Sequence, residues 1–334
     1  MFDIVGHNGI SERLRRAAVK GVLAPSYLFA GPKGVGKFLT ARYFCMSVFC
    51  RAGSEDRPCG ECLGCRRVLS GNHPDLRILT NQEGKLSIGI DEVREGIDSV
   101  QTCSSEGGFR FWIIDEAQRM TDEAQSALLK TLEEPPLSLV LILISQGDDK
   151  LLPTVVSRCR RINFKSLPAA ELKAFLLRKG YEEGKADVAA RISGGSAGTA
   201  LNFLQDGELW DRRVALFSVL DSAVPGDLWT ALDSASQIDE LCSGKTGRDK
   251  MLFCLDMAAS LYRDALLHKI GAAEALLINA DCALLLDKLA SVYEVLALEK
   301  CIEEINSCKY KLERYVNPRL AWQSLFITLQ DLAS

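Results

Sequence analysis

Apolar positions in the first half of the chain fall into short, nearly unbroken runs: "SYLFAG", "DLRILT", "FRFWIID", "LVLILIS" and "RRINF". Strands buried on both faces of a parallel sheet have this character. Between the runs the apolar spacing becomes helical. In "TDEAQSALLKTLEEPP", Ala124, Ala127, Leu128 and Leu132 share one helical face. Thr121 can cap the start, Asp122 and Glu123 suit the positive end of the helix dipole, and Pro135 with Pro136 ends it. The pattern predicts an α/β doubly wound domain with a parallel five-stranded sheet over residues 1–165.

Strand signals stop after Phe164. Residues 166–208 read as short helices punctuated by "SGGSAG", a small second domain. From 209 to 334 the spacing is helical almost throughout, as in "MLFCLDMAASLYRDALL" and "CALLLDKLASVYEVLALEKCIEEI". The last helix has a clear entry, with Asn317 placed to cap it and Pro318 suited to its first turn.

The chain has 334 residues, enough for two or three cores, and a net charge of −4 argues against a broadly DNA-coating protein. No apolar run approaches the ~18 residues of a membrane span. The start, "MFDIVGHNGI", lacks the basic segment and apolar stretch of a signal peptide. Twelve cysteines without an export signal fit a reducing compartment, so a cytoplasmic location is expected and no membrane partner.

"GPKGVGK" places Gly31, Gly34, Gly36 and Lys37 between a predicted strand and helix, the setting of a phosphate-binding loop. Its glycines let backbone N–H groups surround phosphate oxygens, and Lys37 can reach terminal phosphates. The next position, where magnesium needs a hydroxyl, holds Phe38, which cannot ligate a hard cation. Thr40 is rotated to the far side of the helix. ATP or ADP binding without efficient hydrolysis and an empty loop kept for its fold both remain open. Asp115 and Glu116 end a predicted strand, where such a site takes its magnesium-holding and water-polarising carboxylates; the plainer alternative is a strand turning polar at the surface. Ser145 ends another strand and could sense a γ-phosphate.

Cys50, Cys59, Cys62 and Cys65 lie in one short loop with two C-x-x-C gaps, which suits tetrahedral structural zinc. A redox role and a site using His73 are the alternatives. Cys45, Cys103, Cys159, Cys242, Cys254, Cys282, Cys301 and Cys308 are scattered in apolar patterns and read as buried small hydrophobes.

Together, the phosphate loop, the four-cysteine insertion after its helix, "DEAQ", "LLKTLEEPP" and "LLPTVVSRCRRINF" resemble the clamp-loader subunits of bacterial DNA polymerase III, of the AAA+ class. The resemblance covers the first two domains by motif and the last third by general pattern. It implies an AAA+ P-loop domain, a helical lid and an all-α collar. The hydrolysing gamma/tau pattern has a hydroxyl where Phe38 stands and an arginine where Gly198 stands, so the chain is more similar to the delta-prime type, without intrinsic ATPase. In that family the arginine of "SRC", here Arg158, reaches the ATP of a neighbouring subunit; the plainer alternative is a surface arginine in a basic cluster with Arg160, Arg161 and Lys165, solvated or touching DNA phosphates. The implied partners are the gamma/tau and delta subunits and, through the complex, the sliding clamp and primer-template DNA. A gamma/tau-like motor and a zinc-containing AAA+ DNA-binding regulator are the competing readings.

Overall fold

The computed structural model describes residues 4–53, 57–80, 87–100, 108–147, 149–244, 247–314 and 316–333. Cys103 lies outside them. The described chain divides into two compact units, one holding 1–175 with 194–199, the other 176–193 with 200–334.

In the first unit the five apolar runs form β1 (Ser26–Ala30), β2 (Leu76–Leu79), β3 (Arg110–Ile114), β4 (Leu139–Ser145) and β5 (Arg160–Asn163). They pair in parallel in the order β2-β3-β4-β1-β5. Alternate residues supply two cores. Tyr27, Phe29, Phe111, Ile113, Val140 and Ile142 face α1 (Asn8–Lys20) and α2 (Lys37–Phe49). Leu28, Trp112, Ile114, Leu141 and Leu143 face α4 (Ile90–Val100) and α5 (Asp122–Glu133). The helix α3 (Leu63–Ser70) follows the cysteine loop. Burial on both faces explains why β1, β3 and β4 are continuously apolar; β5, at the sheet edge, is mostly exposed and carries Arg160 and Arg161. Gly96 of α4 lies directly on the Trp112 indole, where a Cβ would collide with the ring.

The helix α5 begins as expected, with Thr121 Oγ1 accepting the Ala124 N–H at 3.3 Å. It ends at Glu133, before the two prolines. A short α6 (Pro153–Val156) leads into β5.

After Asn163 the described residues hold helices and no strand: α7 (Ala169–Arg178), α8 (Glu183–Ile192), α9 (Ala197–Gln205), α10 (Gly207–Ala223), α11 (Leu228–Leu241), α12 (Gly247–Lys269), α13 (Ala283–Val292), α14 (Val295–Glu313) and α15 (Pro318–Asp331). Asn317 caps α15 by accepting the N–H groups of Arg319 and Leu320. The core of the second unit includes Leu220, Leu255, Leu261, Leu298, Ile305, Trp322 and Phe326. Two buried polar anchors hold the segment between α12 and α13. Asp264 accepts the N–H groups of Ile278 and Asn279 at 2.8 and 2.6 Å. Arg213 grips Asp281 with both terminal nitrogens. No described helix is long and apolar enough to cross a membrane.

Candidate functional site

The phosphate loop joins β1 to α2 as the sequence predicts. Gly34 and Gly36 have φ of 72° and 96°, a left-handed backbone that favours glycine. Lys37 opens α2 and is only 7% exposed. Its ammonium donates to the carbonyls of Gly31 and Pro32, each at 2.5 Å. Burial pushes its pKa down to about 8, against the upward pull of Asp115. The back of the loop is also closed: the Gly198 N–H donates to the Gly34 carbonyl at 2.9 Å, and Ser196 Oγ occupies the place of a Cβ on Gly34. A Cβ at position 198 would press on that carbonyl at 3.2 Å.

Phe38 is half-buried, packed against the core of the sheet's α1–α2 face, with the Arg42 guanidinium 5.9 Å from its ring centre. Thr40 is fully buried and its hydroxyl donates to the Gly36 carbonyl at 2.9 Å, so it offers no ligand at the loop.

Asp115, just past β3, lies within electrostatic reach of Lys37. Burial raises its pKa, although its carboxylate accepts the Glu116 N–H at 2.9 Å. Glu116 takes φ of 51° and turns its carboxylate to Arg119 at 3.1 Å. Ser145 is buried, and its hydroxyl donates to the Gly147 carbonyl. Lys37 and Asp115 are thus brought together, while Glu116 and Ser145 are committed to local partners.

Arg158 sits in the turn between α6 and β5. One terminal nitrogen lies 2.6 Å from Glu133 Oε1 and the other donates to the Thr154 carbonyl at 2.9 Å. Glu133 escaped the sequence reading; the available signal was an acidic residue in the last turn of a helix, where the dipole disfavours it.

The ligand atoms of Cys50, Cys59, Cys62 and Cys65 all lie within 4.8 Å of one another, with Cys50 and Cys62 sulfurs 3.9 Å apart. Four sulfurs bound tetrahedrally at ~2.3 Å stand about 3.8 Å apart, so the set fits zinc. The N–H groups of Ala52 and Cys59 point at the Cys50 sulfur, and that of Cys65 at the Cys62 sulfur. Such donors stabilise thiolates. His73 is absent from the cluster; it is buried, stacked on Phe49, and its Nδ1 accepts the Asp75 N–H. Among the other cysteines, Cys45, Cys242, Cys254, Cys301 and Cys308 are buried, while Cys159 and Cys282 are partly exposed. Cys242 and Cys254 are not isolated: their sulfurs are 3.7 Å apart, because the end of α11 meets α12.

Comparison with known proteins agrees with this arrangement. The family model for the delta subunit of DNA polymerase III matches residues 6–168, and the model for the C-terminal part of that delta subunit matches 208–331. The delta-prime subunit of Escherichia coli K12 is 33% identical over 245 residues, which cover 73% of this chain and 70% of that protein. The chain belongs to the clamp-loader subunits of DNA polymerase III, delta-prime type. Delta-prime of Bacillus subtilis is 28% identical over 96% of this chain and 95% of its own length. Subunit tau of the same organism is 27% identical over 96% of this chain, which spans 60% of that longer protein. A gamma subunit-related protein of Thermotoga maritima, 16% identical and covering 97% of this chain and 99% of its own, superposes with a TM-score of 0.55, a likeness of fold.

Proposed function

We propose that this delta-prime-type chain is a non-hydrolysing subunit of the clamp loader that supplies Arg158 to the ATP site of an adjoining gamma/tau subunit. Its partners are then gamma/tau and delta, and the assembled complex opens the sliding clamp and places it on primer-template DNA in the cytoplasm. Residues 166–208 serve as the lid and 209–334 as the collar through which subunits associate. Zinc on Cys50, Cys59, Cys62 and Cys65 holds the insertion together.

One observation carries the reading: Phe38 replaces the magnesium hydroxyl beside a lysine already bonded to its own loop. The position that carries the sensing arginine in gamma/tau is Gly198, bonded to the same loop. Hydrolysis in this chain would lack both the metal ligand and the second cation, whereas Arg158 supplies the guanidinium fork that a neighbour's γ-phosphate requires.

The test is Arg158→Ala in the complex with gamma/tau and delta. Assembly is expected to persist while clamp- and DNA-stimulated ATPase falls several-fold, since an arginine finger is worth about 10³–10⁵ at its own site. Unchanged turnover rejects the finger. Magnesium-dependent ATP turnover by the isolated wild-type chain would assign it to the gamma/tau-like motors, the reading favoured by its alignment with tau.

A further inference from the structure

We propose that Glu133 is a positioning residue that holds the Arg158 guanidinium in cis and yields it when the triphosphate of a neighbouring subunit arrives. This rests on the reading of Arg158 as an arginine finger. The main chain at Arg158 is fixed twice, its carbonyl accepting from Ser26 Oγ at 2.7 Å and its N–H donating to the Val155 carbonyl at 3.2 Å. Only the side chain is left to change partners. Its two terminal nitrogens are occupied by Glu133 Oε1 at 2.6 Å and by the Thr154 carbonyl at 2.9 Å.

Glu133 gains nothing from its helix. It lies in the last turn of α5, where carbonyl dipoles repel a carboxylate, and Glu134 follows it. Lys130 shares that turn, and Arg158 is the cation that contacts Glu133 directly. The pair is also exchangeable: the side chains are 35% and 51% exposed, and ion pairs so placed are weak. A γ-phosphate offers the same fork more negative charge and more acceptor oxygens than one carboxylate, so the exchange runs toward the neighbour. Until then the carboxylate neutralises the finger and competes for it.

Competition has a kinetic signature different from that of a structural contact. In the complex with gamma/tau and delta, Glu133→Gln is expected to lower the KM for ATP roughly two- to five-fold, the strength of an exposed pair, with a smaller change in kcat. In the isolated chain the same substitution is expected to speed phenylglyoxal modification of Arg158 by a similar factor, read by peptide mass spectrometry. The double variant with Arg158→Ala should show no KM shift beyond that of Arg158→Ala alone. An unchanged modification rate overturns the cis hold. Faster modification together with a fall in kcat at constant KM overturns release by competition, because Glu133 would then be orienting the finger productively. If Arg158→Ala alone leaves turnover normal, the finger fails and this proposal with it, and faster modification in Glu133→Gln would attest only the ion pair.

Discussion

The ammonium of a lysine only 7% exposed needs an anion or a set of carbonyls, and Lys37 has the carbonyls of Gly31 and Pro32. They take two of its three hydrogens without neutralising its charge, and burial therefore lowers its pKa to about 8. The folded state binds this proton less tightly than the unfolded chain, whose lysines titrate near 10.4. Below pH 8 the full cost is present; between pH 8 and about 10 it fades, so this term adds stability as pH rises. Comparing Lys37→Met with the native chain isolates it. Between pH 7.5 and 10 the difference in unfolding free energy should shift by about 2 kcal/mol in favour of the native chain. A pH-independent difference would mean that Lys37 keeps an ordinary pKa, with a counter-anion at hand. The Phe38 substitution and the place of Gly198 were readable in the sequence. The turn of Lys37 onto its own loop and of the Ser145 hydroxyl to Gly147 was not, because spacing fixes where a side chain starts and its neighbours decide where it ends.

The secondary elements were more legible than the contacts between them. Each of the five apolar runs became a strand, and Thr121 and Asn317 cap the helices they were expected to cap, since burial on both faces and capping leave local marks. The placement of β4 between β3 and β1 left no such mark, because order in a parallel sheet is set by packing of the crossover helices. The cysteine insertion combines partial burial with four thiols placed so that they could hold a metal. Cys50 ends α2 and Cys65 belongs to α3, and both are buried, but Cys59 and Cys62 between them are only partly so. With zinc bound, the native protein should carry one equivalent of metal by elemental analysis. Cys59→Ala or chelation should then make the insertion more open to protease while the sheet keeps its thermal transition, because Cys59 and Cys62 are only partly buried and a bound metal would tie them to Cys50 and Cys65. A metal-free native protein with the same resistance to cleavage would show that the four thiols need no ion.

On the scale of the whole molecule, the sequence divides at the loss of strand signals, and the structure gives the second unit a core of its own. Every buried apolar residue of that core lies between Leu216 and Leu329. From outside this stretch come the partly buried Ile192, Leu332 and Ala333, the Phe203 ring 6.3 Å from that of Phe253, the Arg213 grip on Asp281, and the bonds of Arg191 to the carbonyls of Ala275 and Leu277. Segment 208–334 produced alone should therefore fold cooperatively, with a helical circular dichroism spectrum and a lower Tm than this unit has in the full chain. It also presents large apolar side chains to solvent, among them Trp229 at 79%, Leu284 at 87% and Leu296 at 71% exposure. Exposed apolar surface of this kind is what association between subunits covers. If the collar reading holds, the segment should compete with the full chain for gamma/tau and delta, and the resulting complex, lacking Arg158, should not gain the stimulated ATPase. A folded segment that binds neither partner would move the assembly surface to the first unit. A segment that binds and restores stimulation would remove Arg158 from the mechanism, since the segment does not contain that residue.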